Sequence, residues 1–258
     1  MSSNSPFSNS IAKRINRSFG KAIHKYNMIS NGDKIAVGVS GGCDSLTLLW
    51  FLIHRLPVIP IQYEILCIHI DPGFDDGFAP LLKEYAQDLG VTLCIDYTDF
   101  GIIAHGPENR ENPCFLCARL RRKRIFEIAE QHGCNKIALG HNKDDLIETL
   151  FINMFYSGEI SSMMPLQSLF QGKLTVIRPL AYTESDNIRR FVKSFKLPEF
   201  INPCPSSILS RRTEIRDMLS KMYRNNNKIK GNLFRAMHNV KPEYLLPSLG
   251  KKNERCSK

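Results

Sequence analysis

The sequence predicts an α/β fold in which a parallel β-sheet carries helices on both faces, followed by a smaller helical part at the C-terminal end. The first observation is that short β-branched runs alternate with amphipathic stretches between Lys34 and Tyr97. The second is that this alternation resumes near Phe115 and continues to Leu180, after an irregular segment at 100–113. Such alternation is typical of βαβ units. The 258 residues, 43% of them hydrophobic, suffice for one substantial domain with a small appendage.

The predicted elements begin with a frayed tail and a basic helix at 11–26. The others are the strand KIAVGV, the helix LTLLWFLIHRL, the strand YEILCIHI, the helix APLLKEYAQDLG, the strand VTLCIDY, a helix at 115–132, the strand NKIALG, the helix KDDLIETLFINMFY, the strand KLTVIRPL and helices at 183–195, 208–223 and 228–238. We therefore predict three parts. They are a tail with a basic helix at 1–30, an α/β domain at 31–182 and a helical region at 183–258.

Composition restricts the class of protein. A formal net charge of +10 favours a polyanionic partner such as nucleic acid, although a merely basic protein would carry it too. Eight cysteines are too few for a secreted disulfide scaffold of this length, which indicates a reducing compartment, and we expect the cytoplasm. The Ser-rich, basic N-terminal stretch leaves a mitochondrial transit peptide open. No apolar run approaches the roughly 20 residues of a spanning helix, so we expect no membrane part.

The first candidate site is the segment SGGCDS from Ser40 to Ser45, here called the phosphate loop, which follows a predicted strand and opens a predicted helix. Backbone N–H groups at a helix N-terminus form an anion site, and Gly41 with Gly42 permits close approach of a phosphate. The two serines add hydroxyl donors, and Asp44 can hold the Mg²⁺ that accompanies a nucleotide. The alternative is a tight glycine turn whose polar residues cap the helix.

The second candidate site is a set of three cysteines, Cys114, Cys117 and Cys204, here called the cysteine group. The first two form a CxxC pair at the start of a predicted helix, and the third lies far downstream between two prolines. A CxxC pair alone fits redox chemistry, half of a zinc site or an iron–sulfur cluster. Three cysteines fit a 4Fe-4S cluster that leaves one iron without a protein ligand.

Both motifs occur in known families. The strand–SGGxDS–helix arrangement resembles the PP-loop ATPases, in which this motif grips the pyrophosphate of ATP while an adenylate is transferred. The segments PCFLCARLRR, KIALGHNKDD, TLFINMFYSG and VIRPLAY closely resemble the tRNA 2-thiocytidine synthetase family, and the resemblance extends over residues 11–247. It implies the PP-loop fold, ATP and Mg²⁺, and a 4Fe-4S cluster held by Cys114, Cys117 and Cys204. It also implies that a tRNA cytidine, at anticodon-loop position 32, is adenylated and exchanges its C2 oxygen for sulfur.

The resemblance assigns a role to the segment GHNKDD. Gly140 and His141 are expected beside ATP, and Asp144 and Asp145 are expected to act with Asp44 in orienting the base or a metal ion. The alternative for the two acids of this segment is a plain helix N-terminus, where the helix dipole favours negative charge.

A run of basic residues after the CxxC pair is expected to contact tRNA phosphates, although a solvated helix face explains any single member equally well. Its members are Arg119, Arg121, Arg122 and Lys123. One departure from relatives is Cys43, which stands where many thiolating enzymes have lysine. We expect Lys143 or a basic residue of the N-terminal helix to supply the missing cation, and Cys43 to be a neutral space-filler.

Several functions remain open on the sequence. The same machinery could thiolate a uridine or another tRNA position, the cysteines could carry a persulfide without a cluster, or the chain could be a non-catalytic, zinc-stabilised RNA-binding module. The expected partners are tRNA and a sulfur donor such as a cysteine desulfurase or free sulfide. A homodimer is compatible with the sequence.

Overall fold

The structure is a computed structural model that describes residues 6–74, 77–201, 203–206 and 211–246. The helices in these ranges are α1 (Ser10–Tyr26), α2 (Cys43–Arg55), α3 (Ala79–Asp88), α4 (Phe100–His105), α5 (Pro113–Gln131), α6 (Lys143–Tyr156), α7 (Ser185–Phe195), α8 (Arg211–Asn225) and α9 (Lys228–Ala236). The strands are β1 (Asp33–Gly38), β2 (Tyr63–Asp71), β3 (Thr92–Tyr97), β4 (Lys136–Ala138), β5 (Leu166–Leu169) and β6 (Leu174–Ile177). None of these helices is long and apolar enough to cross a bilayer.

The strands form one mostly parallel sheet in the order β3-β2-β1-β4-β6-β5. Neighbouring strands run parallel except β5, which pairs antiparallel with β6 at the edge. The predicted α/β fold is thus confirmed. The edge strand β5 was not predicted, because its sequence LQSL is short and carries no clear alternation of polar and apolar residues.

The segment at 100–113 was expected to be irregular, and this is wrong for its first part, which forms α4. That helix is too short for an apolar repeat to reveal it, and a bond from Gly101 N to Pro72 O of 2.8 Å ties it to the end of β2. The expected start of a helix at Ile208 lies outside the described residues.

Side chains alternate between two hydrophobic cores on the two faces of the sheet. Ile35 and Val37 of β1 belong to a core with α1, α2 and α7, whereas Ala36 belongs to a core with α5. The same alternation continues in β2, where Cys67 and Ile68 point to opposite cores. Because successive residues of a strand face opposite sides, a strand buried on both faces reads as a continuous apolar run.

The compact units of the structure are Met1–Asp217 and Met218–Lys258, so the residues from 183 to 217 belong to the unit that contains the sheet. The reason is aromatic packing. The ring of Phe51 in α2 lies 5.5 Å from that of Phe19 in α1 and 5.2 Å from that of Phe191 in α7, and both Phe51 and Phe191 are fully buried. The predicted boundary at 182/183 does not coincide with this division.

The sheet order reverses between β1 and β4, because β2 and β3 continue on one side of β1 whereas β6 and β5 continue on the other. Open α/β sheets bind ligands beyond the carboxyl ends of the strands at such a reversal. The phosphate loop follows β1 and the segment GHNKDD follows β4, so both motifs meet at this crevice.

Substituting Phe191→Ala tests the role of α7 as a structural part of the sheet unit. Removing a fully buried ring should cost about 3–5 kcal/mol of unfolding free energy, measured by urea denaturation. The control Lys193→Ala changes an exposed position of the same helix and should stay within about 0.5 kcal/mol. Equal effects of the two changes would mean that α7 is not part of the cooperative core.

Candidate active site at the phosphate loop

The phosphate loop is held open by the side chain of Ser45. Its hydroxyl donates to Gly42 O at 2.9 Å and accepts from Ser40 N at 3.2 Å. Gly41 has a positive φ of 77°, and a Cβ built on it would lie 2.4 Å from the ring of Phe78, so a side chain is excluded here. The loop leads directly into α2, whose first N–H groups have no partner within the helix and can bind an anion.

The segment after β4 packs directly on this loop. A Cβ built on Gly140 would lie 2.9 Å from Ser45 N and 3.0 Å from the backbone carbonyl carbon of Asp44. Asn142 Nδ2 donates to Asp44 Oδ1 at 2.9 Å, while Asn142 also forms a capping box with Asp145 at the start of α6. The two strand-end loops therefore form one rigid arrangement, in which Gly140 approaches the backbone of the phosphate loop.

Two carboxylates face each other in this arrangement. Burial, and then the charge of Asp145, raise the pKa of Asp44 to about 6. Burial likewise raises the pKa of Asp145, which accepts from Arg212 Nη1 at 3.1 Å. A carboxylate whose pKa is raised by burial and by a neighbouring acid is stabilised by a bound cation, and oxygen ligands of this kind suit Mg²⁺.

The loops enclose a cavity of 290 Å³, here called the phosphate-loop cavity. Its walls combine apolar side chains with the polar groups of both loops. They include Ile68, Ile70, Ile125, Leu139, Ser40, Asp44, His141, Asp145, Arg121 and Arg212. An apolar slot that ends in carboxylates, arginines and backbone N–H groups fits a nucleotide, with the base against the aliphatic wall and the phosphates at the polar end.

His141 lies against a buried arginine. Arg178 Nε donates to His141 Nδ1 at 3.2 Å, and Arg178 Nη1 donates to Met164 O at 2.5 Å. Burial, followed by the charge of Arg178, lowers the pKa of His141 to about 3, so the imidazole is neutral at physiological pH. Its Nδ1 accepts a hydrogen bond, which leaves the ring proton on Nε2.

The cysteine group is assembled from separate parts of the sheet unit. Cys114 and Cys117 lie in the first two turns of α5, and Cys114 Sγ lies 4.0 Å from the backbone oxygen of Ser206 in the segment that carries Cys204. None of the three is in a disulfide. After burial, the charge of Cys204 raises the pKa of Cys114, and it also contributes to the raised pKa of Cys117. The three thiols are therefore neighbours.

Arg121 joins the cysteine group to the cavity. Its charge and a hydrogen bond to the thiol counteract the effect of burial, which raises the pKa of Cys117. Its side chain also lines the phosphate-loop cavity. The buried Nε of Arg121 has no hydrogen-bond partner among the described residues. Buried donors are normally paired, so this N–H is available to a ligand.

A second cavity, here called the side cavity, has a volume of 270 Å³ and shares Ser40, Ile70 and Arg121 with the first. It lies beside the end of β2. Its lining consists of Ser40, Gly42, His69, Ile70, Asp71, Pro72, Gly77, Phe78, Arg121, Phe200 and Pro203.

With this geometry in place, similarity to known proteins decides the family. A family model described as the PP-loop domain matches residues 10–223. A tRNA-cytidine(32) 2-sulfurtransferase from Geotalea daltonii is 40% identical over 238 residues, which cover 91% of this chain and 94% of that protein. The enzyme of the same name from Pasteurella multocida is 38% identical over 242 residues, covering 92% and 76%. The chain belongs to the tRNA-cytidine(32) 2-sulfurtransferase family of PP-loop proteins.

Solved structures agree on the PP-loop fold. The U34-tRNA thiolase NcsA from Methanococcus maripaludis, solved with its [4Fe-4S] cluster, has a TM-score of 0.73 at 24% identity and covers 88% of this chain and 78% of that one. The NH3-dependent NAD synthetase from Campylobacter jejuni has a TM-score of 0.52 at 13% identity, covering 94% and 100%. At these identities the likeness concerns the fold alone.

Asp144 and Asp145 are adjacent in the sequence of this PP-loop site, but they make different contacts. Asp145 lines the phosphate-loop cavity. Asp144 Oδ2 instead accepts from Ser185 N at 2.9 Å, at the first residue of α7. Asp144 therefore has a structural role in joining α6 to α7, whereas Asp145 is placed to meet a ligand.

The basic residues that follow the CxxC pair also differ in their contacts. Arg119 lies 3.3 Å from Glu111, and Lys123 lies 3.8 Å from Glu127. Arg122 is exposed and in no ion pair among the described residues. Arg121, predicted as a surface contact for tRNA, faces the cavity.

Cys43 is half-buried against the core of α1, α2 and α7, and burial raises the pKa of its thiol, which supports a neutral role. Lys143, expected to replace the missing lysine, bonds Glu184 at 2.9 Å.

The cations that line the cavity are Arg121 and Arg212. No sequence pattern pointed to Arg212, because it lies 67 residues from the Asp145 that it contacts. Asn142 could have been found from the capping pattern Asn-x-x-Asp.

Asp44→Asn should stabilise the ligand-free protein, and more at high pH. The pKa of Asp44 is about 6 in the folded chain and near 3.8 otherwise, so the folded state holds the proton more tightly and loses stability as pH rises through this window. Urea denaturation should show a gain on the order of 1–3 kcal/mol at pH 8 and little gain at pH 4. The exposed control Asp88→Asn should change stability at neither pH. A gain that does not depend on pH would contradict the origin given for the raised pKa.

Proposed function

We propose that this protein transfers sulfur to C2 of a tRNA cytidine, at anticodon-loop position 32, in a reaction that consumes ATP. One observation carries the proposal. The side chain of Arg121 both contacts the thiol of Cys117 and lines the phosphate-loop cavity. A nucleotide site and a thiol site that share one side chain support a reaction in which activation and sulfur transfer occur at one carbonyl group.

ATP fits the phosphate-loop cavity in one orientation. The aliphatic side chains of Ile68, Ile125 and Leu139 offer a wall for adenine, and the phosphate loop offers N–H donors for the phosphates. Asp44 and Asp145 would hold Mg²⁺, since both are buried carboxylates and the charge of Asp145 adds to the raised pKa of Asp44. The ion supplies charge neutralisation on the phosphates when bound.

The cysteine group fits a 4Fe-4S cluster better than a single metal ion. None of its three thiols is in a disulfide and the three are neighbours, whereas a structural zinc site takes four protein ligands. Arg121 favours the thiolate form of Cys117, as metal ligation needs. A 4Fe-4S cluster held by Cys114, Cys117 and Cys204 supplies, when bound, an iron that no protein ligand occupies and that can hold sulfur.

Activation is required because the C2 carbonyl of cytidine is amide-like and its oxygen is a poor leaving group. Attack of that oxygen on the α-phosphorus of ATP forms an O–P bond and releases pyrophosphate. Hydrosulfide then adds at C2, AMP leaves with the original oxygen, and loss of the sulfur-bound proton gives the 2-thio product. The phosphate-loop N–H groups and Arg121 are placed to stabilise the charge that develops on the phosphates.

Helix α1 offers a surface for the tRNA backbone. It contains no acidic residue, and one of its faces is buried in the core. The exposed face carries Lys13, Arg14, Arg17, Lys21 and Lys25. Like charges at i, i+4 spacing destabilise a helix by a few tenths of a kcal/mol per pair, so a face of this kind suits a polyanion.

The sulfur donor, which we expect to be a cysteine desulfurase or free sulfide, stays a prediction, as do the cytoplasmic location and a homodimer. The tRNA contacts of Arg119, Arg122 and Lys123 also stay predictions, and Arg122 is the member that no ion pair with a described residue holds away from RNA.

Deleting the gene should remove 2-thiocytidine from cellular tRNA, as measured by mass spectrometry of nucleosides. The wild-type gene and the control Cys94→Ala, which changes a half-buried cysteine of β3, should restore it. Cys204→Ala should not, because it removes one thiolate of the cysteine group.

The same variant can be examined as purified protein under anaerobic conditions. Cys204→Ala should lose iron and visible absorbance while still binding ATP, because the phosphate loop is untouched. A full 4Fe-4S spectrum in this variant would overturn the assignment of the cysteine group. Persistence of 2-thiocytidine after deletion of the gene would overturn the proposed function itself.

Replacing Lys13, Arg17 and Lys21 together with alanine should weaken tRNA binding and reduce the slope of log affinity against log salt by about 2–3. Alanine favours helix, so α1 should persist. The control removes the same charge elsewhere, at Lys34, Lys83 and Lys173, two of which lie at the amino ends of β1 and β6. Equal slopes for the two triple variants would show that the effect is net charge and not a docking surface.

A further inference from the structure

When ATP occupies the phosphate-loop cavity as proposed, the side cavity is not used by the nucleotide. It opens beside the phosphate loop through Ser40 and Gly42, and it reaches Pro203, the residue before Cys204. Arg121 lines it as well as the phosphate-loop cavity. The side cavity thus lies between the phosphates and the cysteine group, which is where the atom that is first activated and then thiolated must be held.

Its size fits one nucleobase. A volume of 270 Å³ leaves room for a pyrimidine ring with its exocyclic groups. A base can enter only if it is unstacked and turned out of the RNA, as loop nucleotides are able to do.

One wall of the side cavity is aromatic. The rings of Phe78 and Phe200 lie 5.1 Å apart with an interplanar angle of 24°, and His69 lies 5.2 Å from Phe78. Phe78 also contacts the phosphate loop, since a Cβ on Gly41 would lie 2.4 Å from its ring. Aromatic rings that line a cavity are the usual surface on which proteins stack an unpaired base.

The polar groups at the end of β2 are hydrogen-bond acceptors. Asp71 is only 7% exposed, and its Oδ1 accepts from Gly73 N at 2.9 Å. Among the described residues, its Oδ2 has no hydrogen-bond partner. His69 Nδ1 lies 2.8 Å from Val39 O, which can only accept, so Nδ1 carries the proton. Burial lowers the pKa of His69, which keeps the ring neutral and leaves Nε2 as an acceptor.

We propose that the side cavity holds the target base, that Phe78 and Phe200 form its stacking surface, and that Asp71 selects cytosine by accepting a hydrogen bond from the exocyclic amine. This assignment rests on the proposed function and adds the site of the substrate. A carboxylate accepts from cytosine N4, whereas uracil presents an oxygen at the same place, which a carboxylate repels. Acceptors on this wall therefore favour an amino-bearing pyrimidine.

The placement also orients the reacting carbonyl. In cytosine the C4 amine and the C2 carbonyl lie on either side of N3. With the amine held at Asp71, on the end of β2, the C2 carbonyl can turn toward Arg121 and the phosphate loop. One contact thus both identifies the base and directs the atom that must be activated.

The test begins with the wild-type protein and tRNA transcripts that differ only at the target position. With cytidine present, thiolation should proceed; with uridine or N4,N4-dimethylcytidine, which has no N–H donor at C4, kcat/KM should fall at least about tenfold. Equal rates with dimethylcytidine would overturn the proposal. Absence of thiolation of cytidine itself would instead overturn the proposed function, so the two failures are distinguishable.

Asp71→Asn supplies the matching change on the protein. Its amide oxygen can keep the bond from Gly73, so the amide NH2 takes the place of Oδ2 and offers a donor. The preference for cytidine over uridine in kcat/KM should fall by about 10–100-fold, while the KM for ATP stays unchanged. The control Asp99→Asn changes an exposed acid just beyond β3, at the same edge of the sheet, and should leave the preference intact. An unchanged preference in Asp71→Asn would refute the role of the carboxylate.

Phe200→Leu tests the stacking surface separately. It should raise the KM for tRNA by about 5–100-fold with little change in the KM for ATP. Circular dichroism and urea denaturation establish that the variant is folded. A folded Phe200→Leu protein with wild-type KM for tRNA would place the base elsewhere.

Discussion

The contact between Gly140 and the phosphate loop is the constraint on which the rest of the site depends. With a Cβ at this position lying 2.9 Å from Ser45 N, no other residue lets the end of β4 reach the start of α2. This approach brings Asn142 to Asp44 and Asp145 into the same cavity. The two loops come from adjacent strands, β1 and β4, whose order in the sheet reverses here, so the fold supplies the proximity and glycine makes it sterically possible.

The electrostatics of the site favour ligand binding over stability. Asp44, Asp145 and Glu148 are withdrawn from water, and burial raises the pKa of each. The arginines of α8 compensate in part, since Arg216 bonds Glu148 at 2.8 Å and 3.2 Å. A buried carboxylate pair without a cation is costly, and perturbed groups of this kind are typical of functional sites. The remaining imbalance is what a divalent cation and a nucleotide would correct.

Arg121 connects the cysteine group to both cavities. It lies one turn after Cys117 on α5, so the helix that presents two thiols also presents a guanidinium between the two cavities. Its unpaired Nε is tolerable only if a ligand supplies an acceptor. The aromatic contact of Phe78 with Gly41 extends this connection to the side cavity, because the wall of that cavity packs on the phosphate loop itself.

The sequence by itself determined the parallel sheet, the phosphate loop and the three cysteines, because these depend on local periodicity, on glycine and serine at a helix start, and on residue types that few other roles require. It also determined most element boundaries, whereas α4 and β5 were too short to show a period. Only the tertiary structure decided which of two adjacent acids lines the phosphate-loop cavity, since Asp145 lies in its wall whereas Asp144 bonds the first residue of α7. The same holds for Arg121, predicted at a surface and found in the cavity, and for Arg212, Phe78 and Phe200, which reach the site from distant parts of the chain. Their roles follow from distances across the fold, and no spacing along the sequence encodes those distances.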